Sequence, residues 1–254
     1  MSGIYQLSRQ ELKNLFYSPA TYLAMVLALL LMGFFFFLSL LTVSAEEQEQ
    51  MPATLFFSLF WVPVLLIVPM LTMRSFAEER RLGTIETLLT APVRPYQLVF
   101  AKFFGAYVFY LLVWLLSIAY PLLAAFVLKQ PAFTEKLLAP GALVGGYTFV
   151  ALSGTLFVSV GIFSSCLTRS QLVAGMLSFS ILFMLIMGFA ALSFLQRDTG
   201  SFPFLPGDLI AYVQVFGHFE DFSEGRLDSR PFAYYLSGTV AILGTATLIL
   251  EPKR

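Results

Sequence analysis

The densest run of ionisable side chains is Glu78-Glu79-Arg80-Arg81, followed by Gly83 and then Thr84-Ile85-Glu86-Thr87-Leu88-Leu89-Thr90. Ile85, Leu88 and Leu89 stand at i, i+3 and i+4, one face of a short helix. Ala91-Pro92 and Arg94-Pro95 end it. A helix this short is unstable alone, so it must dock. It can dock on its own bundle or the membrane surface with its charges solvated, or it can dock into another protein.

Other reactive chemistry is sparse. His218 is the one histidine, without neighbouring Cys or His, and suits a surface or packing role rather than a metal site. The one cysteine, Cys166, cannot form an internal disulfide and fits as a small apolar filler. No paired Cys/His spacing suggests zinc. Ser153 and Ser178 lack a histidine at their depth to activate them. No G-x-x-x-x-G-K-[ST] run occurs, so the chain carries no phosphate-binding loop of its own. Neither an enzyme nor a cofactor or metal site is expected.

The elements that position these residues follow from where charge is missing. Of 254 residues, 58% are hydrophobic and 12% charged, with 28 phenylalanines. Soluble domains sit near ~45–50% apolar and ~25% charged, so the excess must face lipid. No Asp, Glu, Lys or Arg occurs in 14–45, 50–73, 103–128, 137–168, 170–196 or 231–250. Each run reaches the ~20 residues that span a bilayer as a helix. Barrel alternation is absent. The expectation is an all-α integral membrane protein, a single transmembrane domain over 1–254. Its spans fall near 20–41, 53–73, 103–127, 141–165, 172–194 and 232–250. The first run is too long for a cleaved signal's apolar region and is read as a retained span.

Six crossings put the N-terminus, loops 74–102 and 166–171, and the C-terminus on one side. That side holds ten of the 15 lysines and arginines, so both termini are expected to be cytoplasmic. The neutral total charge argues against a nucleic-acid partner. Residues 3–17 place Ile4, Leu7, Leu12, Leu15 and Phe16 opposite a polar back of Arg9, Glu11 and Lys13. This predicts an interfacial helix on the membrane lipid, ended by Ser18-Pro19. Pro63 and Pro69 are placed inside span two, as possible hinges. Gly145-Gly146 and Gly154 suit close helix packing. The outer loop 196–231 carries Tyr212, Phe216, Phe219 and Phe222 at helical steps, which predicts a short helix or helix pair partly re-entering the outer leaflet under a polar tip at 224–230.

This order resembles the membrane subunit of type-2 ABC exporters, and the resemblance covers essentially the whole chain. Its most specific stretch is Phe76-Ala77-Glu78-Glu79-Arg80-Arg81-Leu82-Gly83-Thr84-Ile85-Glu86-Thr87-Leu88-Leu89-Thr90-Ala91-Pro92-Val93. It is similar to the family's F-A-E-E-[KR]-[KR]-x-G-T-x-E-x-L-L-T-x-P-V. Phe219 to Gly225 with Tyr234 to Ser237 resembles the gliding-motility-associated branch. The resemblance implies a permease in the bacterial inner membrane, with a coupling helix around Glu78 to Thr90 inserting into a cytoplasmic ABC ATPase subunit. Ile85, Leu88 and Leu89 would be its anchors, and Glu78, Glu79, Arg80, Arg81 and Glu86 its polar contacts. ATP and magnesium would belong to that partner. Helix 3–17 would be a second contact, and a second permease subunit, identical or related, would complete a pathway lined by spans two and five. The alternative from another class is a non-transporting membrane anchor that recruits a cytoplasmic partner.

Overall fold

A computed structural model describes residues 2–45, 52–84, 94–128, 137–199, 212–226 and 228–251. Among them there is no strand, and six helical stretches are long and apolar enough to cross a membrane. The protein is an all-α, multi-pass membrane protein. Helix α1 (Ser2–Tyr17) leads through Ser18 into the first span, α2 (Pro19–Ala45). Then come α3 (Pro52–Ser58), α4 (Trp61–Thr72) and α5 (Ala77–Leu82). Span three is α6 (Pro95–Leu116) and α7 (Ala119–Leu128), and span four is α8 (Pro140–Leu167). Span five is α9 (Gln171–Phe183), a π-helical turn at Met184–Gly188 and α10 (Phe189–Thr199). Helix α11 (Val215–Ser223) precedes the last span, α12 (Ser229–Leu250).

Span four is the hub. Most of α8 is buried, whereas little of the most apolar window of spans one, three, five and six is buried. It packs against α12, α9, α6, α11 and α4. Association within lipid gains little from hydrophobicity and depends on close packing over small residues. On α8 these are glycines. A Cβ on Gly146 would overlap the Phe57 ring, one on Gly154 the Tyr110 ring, and one on Gly161 the side chain of Thr72. Tyr107 Oη donates to Ala151 O at 2.7 Å, which fixes α6 alongside the same stretch.

Two spans are interrupted, each a few residues before a proline. Pro63 has no N–H for Leu59 O, so the Val62 N–H takes that carbonyl at 3.1 Å and the chain tightens into a turn between α3 and α4. Pro121 likewise leaves Ser117 O to the Tyr120 N–H at 3.1 Å, and span three breaks between α6 and α7. Pro63 therefore sits in the first turn of α4 and not in a helix interior, a correction to the sequence expectation. Pro69 does lie inside α4, which continues past it: the Met73 N–H donates to Pro69 O at 2.9 Å.

At the far end, α11 is seated on α8 rather than left on the surface. Val215, His218, Phe219 and Phe222 are buried. Gly145 allows the Phe222 carbonyl to lie where a Cβ would otherwise be. Phe149 stacks edge-on between Phe60 (ring centroids 4.9 Å) and Phe219 (5.6 Å). His218 Nδ1 meets Tyr235 Oη at 3.2 Å, so the histidine has a packing role in this fold. Tyr212 precedes the helix and lies edge-on to Tyr234. The polar tip carries the exposed ion pair Arg226–Glu224 at 2.8 Å.

Candidate functional site

The charged segment 76–83 is a helix because a distant residue starts it and a glycine ends it. Ser165 Oγ, on α8, accepts from the Phe76 N–H (2.9 Å) and the Ala77 N–H (3.1 Å). It thereby satisfies two amides at the start of α5 that have no partner within the helix. Glu78 and Glu79 occupy the first turn, and Arg80 and Arg81 the last, the order the helix dipole favours. Gly83 then adopts φ 74°, a left-handed conformation that stops the helix at little cost for glycine. Six residues would not hold a helix alone; burial of Phe76 and Ala77 beneath it anchors the turn.

Helix α6 begins earlier than the charge pattern suggests. Pro95 occupies the first position, and Gln97 Oε1 accepts from the Arg94 N–H at 3.1 Å. Lys102 thus falls about two turns inside a helix, not in the loop where the sequence placed it. Its side chain is only 4% exposed. It is shielded by protein: Lys102 Nζ donates to Glu11 Oε1 at 2.9 Å and to Glu79 Oε1 at 2.7 Å, and stands 5.2 Å from the centre of the Phe76 ring. The two carboxylates are 23% and 21% exposed. One ammonium therefore ties α1, α5 and α6 together. Gly105, one turn on, makes this possible, because a Cβ there would stand 3.2 Å from Glu11 Cβ. Phe16 packs edge-on against Phe109 further along the same pair of helices.

The inward position of Glu11 corrects the expected polarity of α1. The face turned to the bundle is Leu7, Ser8, Glu11, Leu12 and Leu15, while Arg9, Lys13 and Phe16 are exposed. Within the charged run the side chains also part. Glu78 and Arg81 face outward as an exposed pair at 3.9 Å, of a kind that contributes little to stability. Glu79 points in. Arg80 Nε is buried and has no hydrogen-bond partner among the described residues. Thr84 Oγ1 reaches back to Glu79 O at 3.4 Å. Ile85, Glu86, Leu88 and Leu89 lie outside the described residues, as does all of 85–93.

Two participants escaped the sequence expectations. Ser165 carries no local signal for a cap 88 residues away. Lys102 did carry one: it borders a charge-free run, and counting helical turns from Pro95 places it inside the span.

A family model described as an ABC-2 family transporter protein matches residues 40–216. The chain belongs to that family. As an ABC-2 protein it is the membrane-spanning permease subunit of an ABC transporter, a transmembrane subunit rather than the ATPase. The match includes α5, Lys102 and Ser165, while Glu11 and the rest of α1 precede it. Among curated proteins, none matches the chain.

Proposed function

We propose that this ABC-2 permease is driven by a separate cytoplasmic ATPase, which pushes on the segment after α5, and that Lys102 distributes that push. The double ion pair of Lys102 carries this proposal. A force on α5 reaches Glu79, then Lys102 in span three, then Glu11 in α1, through contacts that are short, charged and largely shielded from water. Removing one member of such a pair strands a charge and costs about 3–5 kcal/mol. The three helices should therefore move as one block rather than slide apart.

The excess of lysine and arginine on this side supports a cytoplasmic orientation for it, and the resemblance implies the bacterial inner membrane. ATP and magnesium are held by the partner, and export is the direction implied by the resemblance. A second permease subunit completes the pathway, with spans two and five as its walls. Span two supports that role through its break before Pro63, and span five through the π turn at Met184–Gly188, a feature common where helices serve function. The test is assembly. The chain should co-purify with a Walker-type ATPase, and Glu86→Lys or Leu88→Asp should abolish the association. If both variants leave assembly and ATP turnover unchanged, the coupling-segment assignment is wrong. If the chain recruits a cytoplasmic protein without ATP-driven movement, the anchor alternative holds instead.

A further inference from the structure

An open-sided furrow of about 620 Å³ runs between spans three and six. One wall is the start of α6, from Tyr96 to Phe103, the other is α12 from Leu236 to Thr247, and Thr155 of α8 joins them. Its depth follows from the chain path. Tyr96 is in the first turn of α6 and Thr247 in the last turn of α12, ends that lie on the same side of the membrane. Thr155 and Thr239 fall near the middle of their spans. From Thr247 to Leu236 the helix rises about 16 Å, close to half of a hydrocarbon layer of ~30 Å. The furrow therefore runs through one leaflet, the one on the side of α5, from headgroup level to the midplane.

Its walls ask for an apolar occupant. Thr155 Oγ1 donates to Leu152 O at 2.7 Å, Thr239 Oγ1 to Tyr235 O at 2.7 Å and Thr247 Oγ1 to Gly244 O at 2.6 Å. The rest of the lining is apolar, apart from the Tyr96 phenol at the mouth. A furrow of this size does not stay empty in a bilayer, because a void forfeits the dispersion contacts of its walls. Another transmembrane helix fits it poorly. Helices meet in lipid where small residues let their backbones approach, and these rims carry Phe100, Leu236 and Val240, which are 46%, 51% and 72% exposed. A flexible chain of methylenes meets no such limit.

We propose that the furrow seats one acyl chain of a phospholipid from that leaflet, with the carboxyl end of the chain beside Tyr96 and its methyl end beside Leu236 and Thr155. Gly244 helps to make the room: nothing lies within 4 Å of where its Cβ would stand. The seated chain supports α6 from the α12 side, over the turns that also carry Lys102.

The full chain can be reconstituted in vesicles of phosphatidylethanolamine and phosphatidylglycerol that contain a photoreactive phosphatidylethanolamine, its diazirine near either the carboxyl or the methyl end of one acyl chain. After illumination, peptide mass spectrometry maps the labelled residues. The first analogue should label Val99 and Thr247, and the second Leu236 and Thr155. Each should exceed by about tenfold the labelling of Leu172, at the end of a span, and Leu115, near the middle of one, which lie outside the furrow and are 77% and 61% exposed. Gly244→Leu fills the furrow and should bring its labelling down to that of Leu172 and Leu115. Gly141→Leu, at an equally open glycine of α8, should leave it unchanged. Furrow labelling no greater than that of Leu172 and Leu115 overturns the proposal, as it would mean ordinary surface lipid. So does furrow labelling that survives Gly244→Leu. A second copy in the furrow would also overturn it, and would show as a disulfide-linked dimer of Val240→Cys with the furrow shielded from both analogues.

Discussion

At the scale of single residues, Lys102 and the glycines of α8 show opposite ways of using scarce space. Lys102→Met leaves Glu11 and Glu79 facing each other without a cation and should cost about 3–5 kcal/mol, read as a lowered unfolding midpoint of the purified chain. Adding Glu11→Gln and Glu79→Gln to that variant removes the stranded charges and should recover part of the loss. The glycines make a sharper contrast. Gly154→Ala drives a methyl into the Tyr110 ring and should destabilise by about 1–3 kcal/mol. Gly244→Ala, in α12 with nothing within 4 Å of the new methyl, should instead gain up to about 1 kcal/mol from helix propensity. Thermal unfolding of the two variants side by side checks the sign of each. Gly145, Gly146 and Gly154 could be read from the sequence as packing positions because lipid-embedded helices need small residues to approach. The partners of Lys102 could not. A charged residue beside an apolar run reads as solvated until three-dimensional packing brings Glu11 and Glu79 to it.

At the scale of elements, length was legible and interruption only partly so. A span's length is set by the bilayer and by where charge begins, so α2, α8 and α12 lie close to their expected bounds. The breaks at 59–60 and 117–118 follow from prolines, but a proline does not reveal whether the helix continues past it or stops before it. Pro63 does the second and Pro69 the first. Pro63→Ala restores an N–H for Leu59 O and should join α3 to α4, with slower amide exchange at residue 63 and a longer spin-label distance between positions 55 and 66. No change in either measurement would mean that packing, not the missing N–H, sets the break. Helix α11 offers a pH test. Burial holds the pKa of His218 below its usual 6.5, against the opposing charges of Asp221 and Asp228. Docked α11 thus prefers the neutral ring. Its full stability is present above about pH 6.5 and is lost as pH falls toward the depressed folded value. The protection of α11 amides, taken relative to intrinsic exchange at each pH, should fall as pH drops below about 6.5, and His218→Phe should flatten that dependence.

At the scale of the whole molecule, composition excluded a soluble globule and charge placement separated two faces. Neither showed that α8 is the hub, because all six runs are similarly apolar and only packing distinguishes the buried helix from the lipid-facing ones. The charged segment stood out in the sequence, yet its division into Glu79 turned inward and Glu78 with Arg81 turned outward depends on the cap from Ser165 and on α6 beginning at Pro95. That division is what makes transmission through Lys102 physically plausible. The most direct test is ATP turnover by the reconstituted complex of this chain with its ATPase, comparing the wild type with Glu79→Gln and measuring bound ATPase in the same preparations. Glu79→Gln should keep the ATPase bound, because the anchoring positions are untouched, and should lose the permease-dependent part of turnover by about tenfold, the effect of about 1.4 kcal/mol on a barrier. A Glu79→Gln complex that binds its ATPase and turns over ATP at the wild-type rate would contradict transmission through Lys102.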